Sequence, residues 1–390
     1  MDTSHKHLLI EGWRGVNHSF ALVNQCQILE LQKLGGVRLF HRDLPFAMPH
    51  WNAKTHAAGF SAADSAAIAA LREPAAGERV DCIYRISSPF RAEPASAVKT
   101  LTFMVTELGL SAKSFEPGSA HAEAFTRDGN LIVTPTHWSR DRLVDWGFDP
   151  GHIRVVTHGV YEDTFHPLSA EERATNRANL GLCEDETVYL NLGVATWNKG
   201  IDLVLLAFAE LRRQGRRARL ILKDQRGLYG ISVEQVLKDL CTSHPALFTA
   251  ETLGAIQVVS VNLSQAELRL LYGVADCYVS PYRAEGFNLP VLEAIACGTP
   301  AVVTDGGATD DFCRPGVALR VESDAGSRDD RASGSVARYR EPRLASLVDA
   351  MDRFARREAI APATFAQARA ALMQDMTWAR AAQALRALVD

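Results

Sequence analysis

The sequence predicts an α/β protein of two doubly wound domains, each a parallel sheet covered on both faces by helices. Three observations carry this. Short apolar runs rich in β-branched residues alternate with longer amphipathic stretches along the whole chain, which is the pattern of repeated βα units. The 390 residues exceed what one ordinary core organises, and usual domain sizes divide them in two. A polar passage over residues 165–187, FHPLSAEERATNRANLGLCEDET, separates two series of such runs, and its proline ends the element before it.

The strands of the first series are KHLLIEG, VRLFHRD, DCIYRIS, TLTFMVTE and NLIVTPT; those of the second are VYLNLG, ARLILKD, IQVVSV, CYVSP and PAVVTD. The expected domains are 1–168 and 169–375, with a closing helix over 376–390 that packs back on the first domain. Residues 320–342, rich in Asp, Arg, Ser and Gly, read as a solvated excursion. In open sheets of this kind ligands bind outside the carboxyl ends of the strands.

Composition narrows the function. A net charge of −4 with 47% hydrophobic and 23% charged residues is that of a globular protein without a basic field for nucleic acid. No apolar run approaches the roughly 18 residues of a membrane span, and the N-terminal MDTSHKHLLIEGW is interrupted too early for a leader. The expected location is cytoplasmic, with at most peripheral contact at the inner face of a membrane through the basic helix ELRRQGRRAR. Of seven scattered cysteines without a C-x-x-C pair, most read as reduced core residues.

The most informative stretch is RAEGFNLPVLEAIACGTPAVV, residues 283–303. A strand gives way to a helix, with Pro290 suited to the first helical position, Gly298 to the exit and Glu293 to the first turn. Gly286 admits close approach to backbone N–H groups, and the helix start carries about half a positive charge. Glu285 and Glu293 accept hydrogen bonds only, so each can take two from vicinal hydroxyls. Phosphate binding at the helix mouth and diols at both ends describe a nucleotide-sugar; a plain strand-to-helix turn with a capping carboxylate is the alternative.

Residues 283–303 resemble the E-x7-E signature of retaining glycosyltransferases of the GT-B fold, in particular family four, apart from Asn288 where glycine is usual. Residues 133–167, 190–211 and 263–286 are similar to further family passages, in the expected order. The resemblance implies two Rossmann-like domains with parallel sheets facing each other across a cleft, the first binding acceptor and the second the nucleotide-sugar. It assigns Glu285 to the donor sugar and Glu293 to the ribose, and places the amides of Gly286, Phe287, Asn288 and Leu289 by the sugar and phosphates. Lys199 would neutralise the diphosphate. Where the family has an arginine five residues earlier, this chain has Val194, and Lys223 is the candidate for the missing charge.

In the first half, IEGWRGVNHS resembles the family's glycine-rich first loop. Gly12 and Gly15 would admit the donor diphosphate or the acceptor, and Asn17 and His18 would touch reacting groups; a turn plus a helix cap explains the same residues. Thr106-Glu107 stands where many members have a histidine, so Glu107 would either orient an acceptor hydroxyl or pair with an arginine. Trp51, in a segment with Phe46, His50 and Phe60, either stacks on a saccharide acceptor or anchors the loop.

The expected reaction moves a sugar from a nucleotide-diphosphate donor to a saccharide or lipid-linked acceptor with retention. A donor phosphate oxygen takes the acceptor proton, and no metal or other cofactor is expected. No D-x-D follows a strand, and SRDDR and ATDDF do not have that spacing. A nucleotide-sugar epimerase and a non-catalytic nucleotide-sugar-binding homologue remain the alternatives.

Overall fold

The computed structural model describes residues 6–55, 57–92, 98–119, 122–330 and 335–389. β1 (Lys6–Gly12), β2 (Val37–Asp43), β3 (Cys82–Ile86), β4 (Lys99–Phe103), β5 (Leu131–Thr134) and β6 (Ile153–Val155) form one sheet in the order β2-β1-β3-β4-β5-β6. Its paired strands run parallel. Crossovers are supplied by α1 (Ser19–Leu34), α2 (Ala62–Ala69) and α3 (His137–Trp146). α1 starts where the His18 ring accepts a bond from the Phe20 amide at 3.1 Å and ends at Gly35, whose φ of 66° suits glycine.

The second sheet contains β7 (Thr187–Leu192), β8 (Ala218–Lys223), β9 (Ile256–Val259), β10 (Cys277–Ser280), β11 (Ala301–Thr304) and β12 (Ala318–Val321), ordered β12-β11-β10-β7-β8-β9. Its paired strands are also parallel. Its helices are α4 (Ala170–Asn179), α5 (Ile201–Arg213), α6 (Arg226–Tyr229), α7 (Val233–Ser243), α8 (Ala250–Gly254), α9 (Gln265–Val274), α10 (Leu289–Ala296), α11 (Leu344–Ala355) and α12 (Pro362–Asp375). α4 and α9 open on capping boxes, Ser169 with Glu172 and Ser264 with Glu267. The core gathers α5 side chains such as Val204, Leu205 and Phe208 against Leu220 and Leu222 of β8 and Leu347 and Met351 of α11. Burying each such side chain contributes about 1.5–3 kcal/mol.

The chain divides into two compact units, Met1–Gly159 with Ser327–Arg338 and Met376–Asp390, and Val160–Gly326 with Tyr339–Asp375. α13 (Trp378–Ala387) groups with the first unit and packs on α1. Two parallel-sheet α/β units are therefore present, with the division between Gly159 and Val160.

The 320–342 stretch is solvated, as its composition indicates, but it is built of strands. It holds the end of β12 and a two-stranded hairpin, β13 (Ser323–Asp330) and β14 (Ser335–Pro342). Most of its described side chains are exposed or half-buried, so neither strand carries the apolar alternation that would have revealed it.

Candidate functional site

In the second sheet β7 lies between β8 and β10. The chain runs outward from β7 through β8 to β9 and then returns to β10 on β7's other side, so the strand order reverses between β7 and β10. A crevice opens at such a point. The loops leaving these two strands carry Lys199 and Glu285, and they touch directly: Lys199 Nζ lies 2.8 Å from a Glu285 carboxylate oxygen.

Backbone contacts fix the approach. Gly200 has φ 69°, and a Cβ there would stand 2.1 Å from the Pro281 carbonyl oxygen, so only glycine fits. The Asn198 carbonyl accepts from the amides of Arg283 at 2.7 Å and Ala284 at 3.2 Å. Beyond Glu285, Phe287 is buried and stacked on Phe312 with ring centres 4.9 Å apart.

Asn288 is left-handed, φ 77° and ψ 63°, and caps α10 while its amide donates to Ser280 Oγ at 2.9 Å. This accounts for glycine at the matching position of the resembling segments: the backbone requires positive φ, and Asn is among the few other residues that adopt it at low cost. α10 begins at Leu289, so Pro290 is its second residue and Glu293 its fifth. Both lie one step deeper than the first position and first turn read from the sequence.

Glu293 is enclosed. The Tyr272 hydroxyl donates to its carboxylate at 2.7 Å, and burial pushes its pKa up from 4.5 to about 7 against the opposing effect of that bond. Lys223 ends β8 and is also buried. Its amine donates to the Asp224 carbonyl at 2.5 Å; burial lowers its pKa, with the nearby Asp224 charge opposing. The Lys223 carbonyl accepts from the amide of Gly193, next to Val194, at 3.1 Å.

The remaining sequence candidates lie in the first unit. Gly12 packs so closely that a Cβ would meet Ile86 at 2.7 Å. Gly15 has φ 84°, and its amide donates to Gln25 at 3.0 Å. Asn17 is half-buried beside His18, whose ring packs against Trp13 and Trp51 at 5.1 and 4.9 Å. Burial lowers the His18 pKa to about 4, so the ring is neutral at pH 7. Trp51 is 5% exposed and Phe46 also packs on it. That burial fits a loop anchor, and a stacking platform would require the ring to be uncovered. The Glu107 carbonyl accepts from the Trp138 indole at 2.7 Å.

Sequence reasoning missed a cavity of about 310 Å³ in this unit, lined by Gly109, Leu110, Arg142, Asp145, Trp146, Val336 and Arg338. Arg142 and Arg338 share the single carboxylate of Asp145 at 2.8 and 2.9 Å. It also missed Arg283, whose one signal was a charge beside Glu285 in an apolar stretch. The stretch ELRRQGRRAR is not one basic helix: α5 ends at Arg213, Arg216 and Arg217 follow in the turn and Arg219 lies in β8, and Arg212, Arg213, Arg216, Arg217 and Arg219 each pair with an acid. Among the described residues no helix is long and apolar enough to cross a membrane, and no group of three or more His, Cys, Asp or Glu is placed to hold a metal.

Comparison with known proteins bears on this geometry. Residues 172–327 match the family described as glycosyl transferases group 1. That span contains Lys199, Lys223, Glu285 and Glu293. A D-inositol 3-phosphate glycosyltransferase of Frankia alni is 33% identical over 230 residues, covering 58% of this chain and 50% of the relative. The chain spans between 33% and 50% of the lengths of the curated relatives it matches first. Among solved structures, a glycosyltransferase of Rickettsia africae superposes with TM-score 0.70 at 13% identity over 98% of both chains. Anabaena Alr3699/HepE, solved in complex with UDP-glucose, superposes with TM-score 0.67 at 14% identity over 98% of this chain and 99% of that one. At such identities the likeness establishes the fold, that of GT-B glycosyltransferases.

Proposed function

We propose that this protein transfers a sugar from a nucleotide-diphosphate donor to a saccharide acceptor, with retention at the anomeric carbon and without a metal. The observation that carries the reading is the Lys199–Glu285 pair, 2.8 Å apart, at the strand-order reversal and beside the mouth of α10. Sugar transfer builds positive charge at the anomeric carbon and negative charge on the departing diphosphate. An ammonium and a helix start aimed at the diphosphate stabilise that charge without reorganising during the reaction. Glu285 holds donor-sugar hydroxyls and Glu293 the ribose diol, as the E-x7-E resemblance implies, and the amides of Gly286, Phe287, Asn288 and Leu289 face the sugar and phosphates.

Lys223 is the compensating charge for Val194, a role supported by the bond between its carbonyl and the neighbouring Gly193 amide. A donor phosphate oxygen accepts the acceptor proton on the front face, so no protein nucleophile takes part. The resemblance assigns Glu107 to the acceptor hydroxyl, and the loop holding Gly12, Gly15, Asn17 and His18 to donor or acceptor binding. HepE's UDP-glucose supports the donor class, and the inositol phosphate in the Frankia relative's name supports a polyol or saccharide acceptor.

The test is a thermal-shift screen of UDP-, GDP- and ADP-sugars, followed by transfer and hydrolysis assays with the best binder. Wild type is expected to turn over at least one donor, and Glu285→Ala to lower kcat at least about a hundredfold, or some 2.7 kcal/mol. Binding of no nucleotide-sugar would refute the proposal. Val194 favours one second reading, a donor-binding protein without turnover, which binding without transfer or hydrolysis would mark.

A further inference from the structure

We propose that Arg283 is a positioning residue for the Lys199–Glu285 pair, and that the β13–β14 hairpin acts on the site through it. The side chain of Arg283 is 6% exposed, and each edge of its guanidinium is engaged. Nη1 and Nη2 donate to the two carboxylate oxygens of Asp202 at 2.9 and 2.8 Å. Nη1 also donates to the Trp197 carbonyl at 2.8 Å, and Nε donates to Glu341 at 2.8 and 3.0 Å. The guanidinium carbon lies 4.9 Å from the centre of the Trp197 ring, and Tyr339 meets the same ring edge-on at 5.0 Å.

These contacts fall next to the pair in sequence. Trp197 and Asn198 precede Lys199, and Asp202 follows Gly200 in the first turn of α5. Arg283 stands two residues before Glu285, and its carbonyl accepts from the Arg340 amide at 2.8 Å. One side chain thus braces the loop after β7, the loop after β10 and the returning strand of the hairpin. Both β14 contributors, Tyr339 and Glu341, lie outside the stretch matched to the glycosyltransferase family, which ends at residue 327.

Arginine suits this place because its planar fork fixes several acceptors at once, which a lysine ammonium does not. Geometry at such a site is consequential: a shift of about 1 Å in a group that contacts substrate can cost on the order of a hundredfold in rate. Glu341 is the adjustable member. Its side chain is 43% exposed, so neutralising it leaves Arg283 paired with Asp202 while removing the charged part of the hairpin's hold.

The effect on turnover rests on the proposed function, but the brace itself does not, and the test separates them. In the full chain, acylation of Lys199 by an amine-reactive reagent is followed by mass spectrometry, with exposed Lys238 as reference. Glu341→Gln is expected to speed Lys199 labelling at least about threefold, as loss of a coupling near the low end of the usual range predicts, with Lys238 unchanged. Arg283→Lys, if it folds, should do the same or more. Unchanged Lys199 labelling in Glu341→Gln overturns the brace, whatever happens to Tm. With a donor that wild type turns over, Glu341→Gln should lower kcat several-fold at little-changed donor KM; unchanged kcat overturns the hairpin's action on the site. A wild type that turns over no donor sinks the functional reading alone, and labelling still decides the brace.

Discussion

Each sheet reverses its strand order beside its first strand, yet the two place charge differently at the reversal. In the first, β1 lies between β2 and β3, and Glu11 sits in register with Arg42 on one side and Arg85 on the other. Glu11 contacts Arg42 at 2.7 Å and Arg85 at 2.5 Å, with Glu11 and Arg85 side chains each 5% exposed. In the second, Lys199 and Glu285 lie beyond the strand ends, with side chains 18% and 13% exposed. A charge inside the strand is enclosed by its neighbours and serves the fold. A charge one loop further on keeps enough access to meet a ligand.

Breaking the enclosed cluster should have the largest effect on stability. Glu11→Ala leaves two guanidiniums without their shared carboxylate, Arg85 among them deeply buried, and should cost about 3–5 kcal/mol, read as a fall in the denaturant midpoint. Lys199→Ala should lower that midpoint by less than Glu11→Ala does, since its pair with Glu285 keeps some contact with solvent, and should lower kcat with a donor about a hundred- to a thousandfold, as removal of one stabilising contact to developing charge does. If each variant produced the other's signature, the contrast between strand and loop would fail.

Glu293 sharpens the contrast through pH. Its folded pKa, about 7, exceeds the ordinary 4.5, so between these values the folded protein holds a proton that the unfolded chain has released. The carboxyl's contribution to stability is present in full below pH 4.5 and is lost as pH rises through 7. Glu293→Gln should therefore gain stability relative to wild type across that window, by up to about 3 kcal/mol at pH 8, measured by denaturation without ligand. Donor affinity should move the opposite way, weakening about tenfold per unit as pH drops below 7 if the ionised carboxylate holds the ribose diol. The smallest effect is expected at the first unit's cavity. Arg338→Ala should cost about 1 kcal/mol of stability or less, read as the denaturant midpoint, since its half-exposed pair with Asp145 contributes no more than that.

Ten strands were legible because each is a run of apolar and β-branched residues bounded by turn formers. β6 has three residues and no room for a pattern, while the hairpin is too exposed to leave an apolar trace. Glu285, Glu293 and Lys199 stood out through spacing and resemblance, and the enforced positive φ explains why Asn288 interrupts an otherwise matching segment. Arg283 and Glu341 were not legible, because 58 residues separate them and no local rule pairs an arginine with an acid in a distant strand. Trp51 had two readings in sequence, and its 5% exposure could come only from the packed structure.

The contact between Gly200 and the Pro281 carbonyl oxygen also limits how the protein can be redesigned. At that crossing the spacing is set by main chain against main chain, with no side chain available to trim or enlarge. A library that randomises residues 197–200 and selects for altered donor choice should return glycine at 200 in every functional clone, leaving variation to the neighbouring positions.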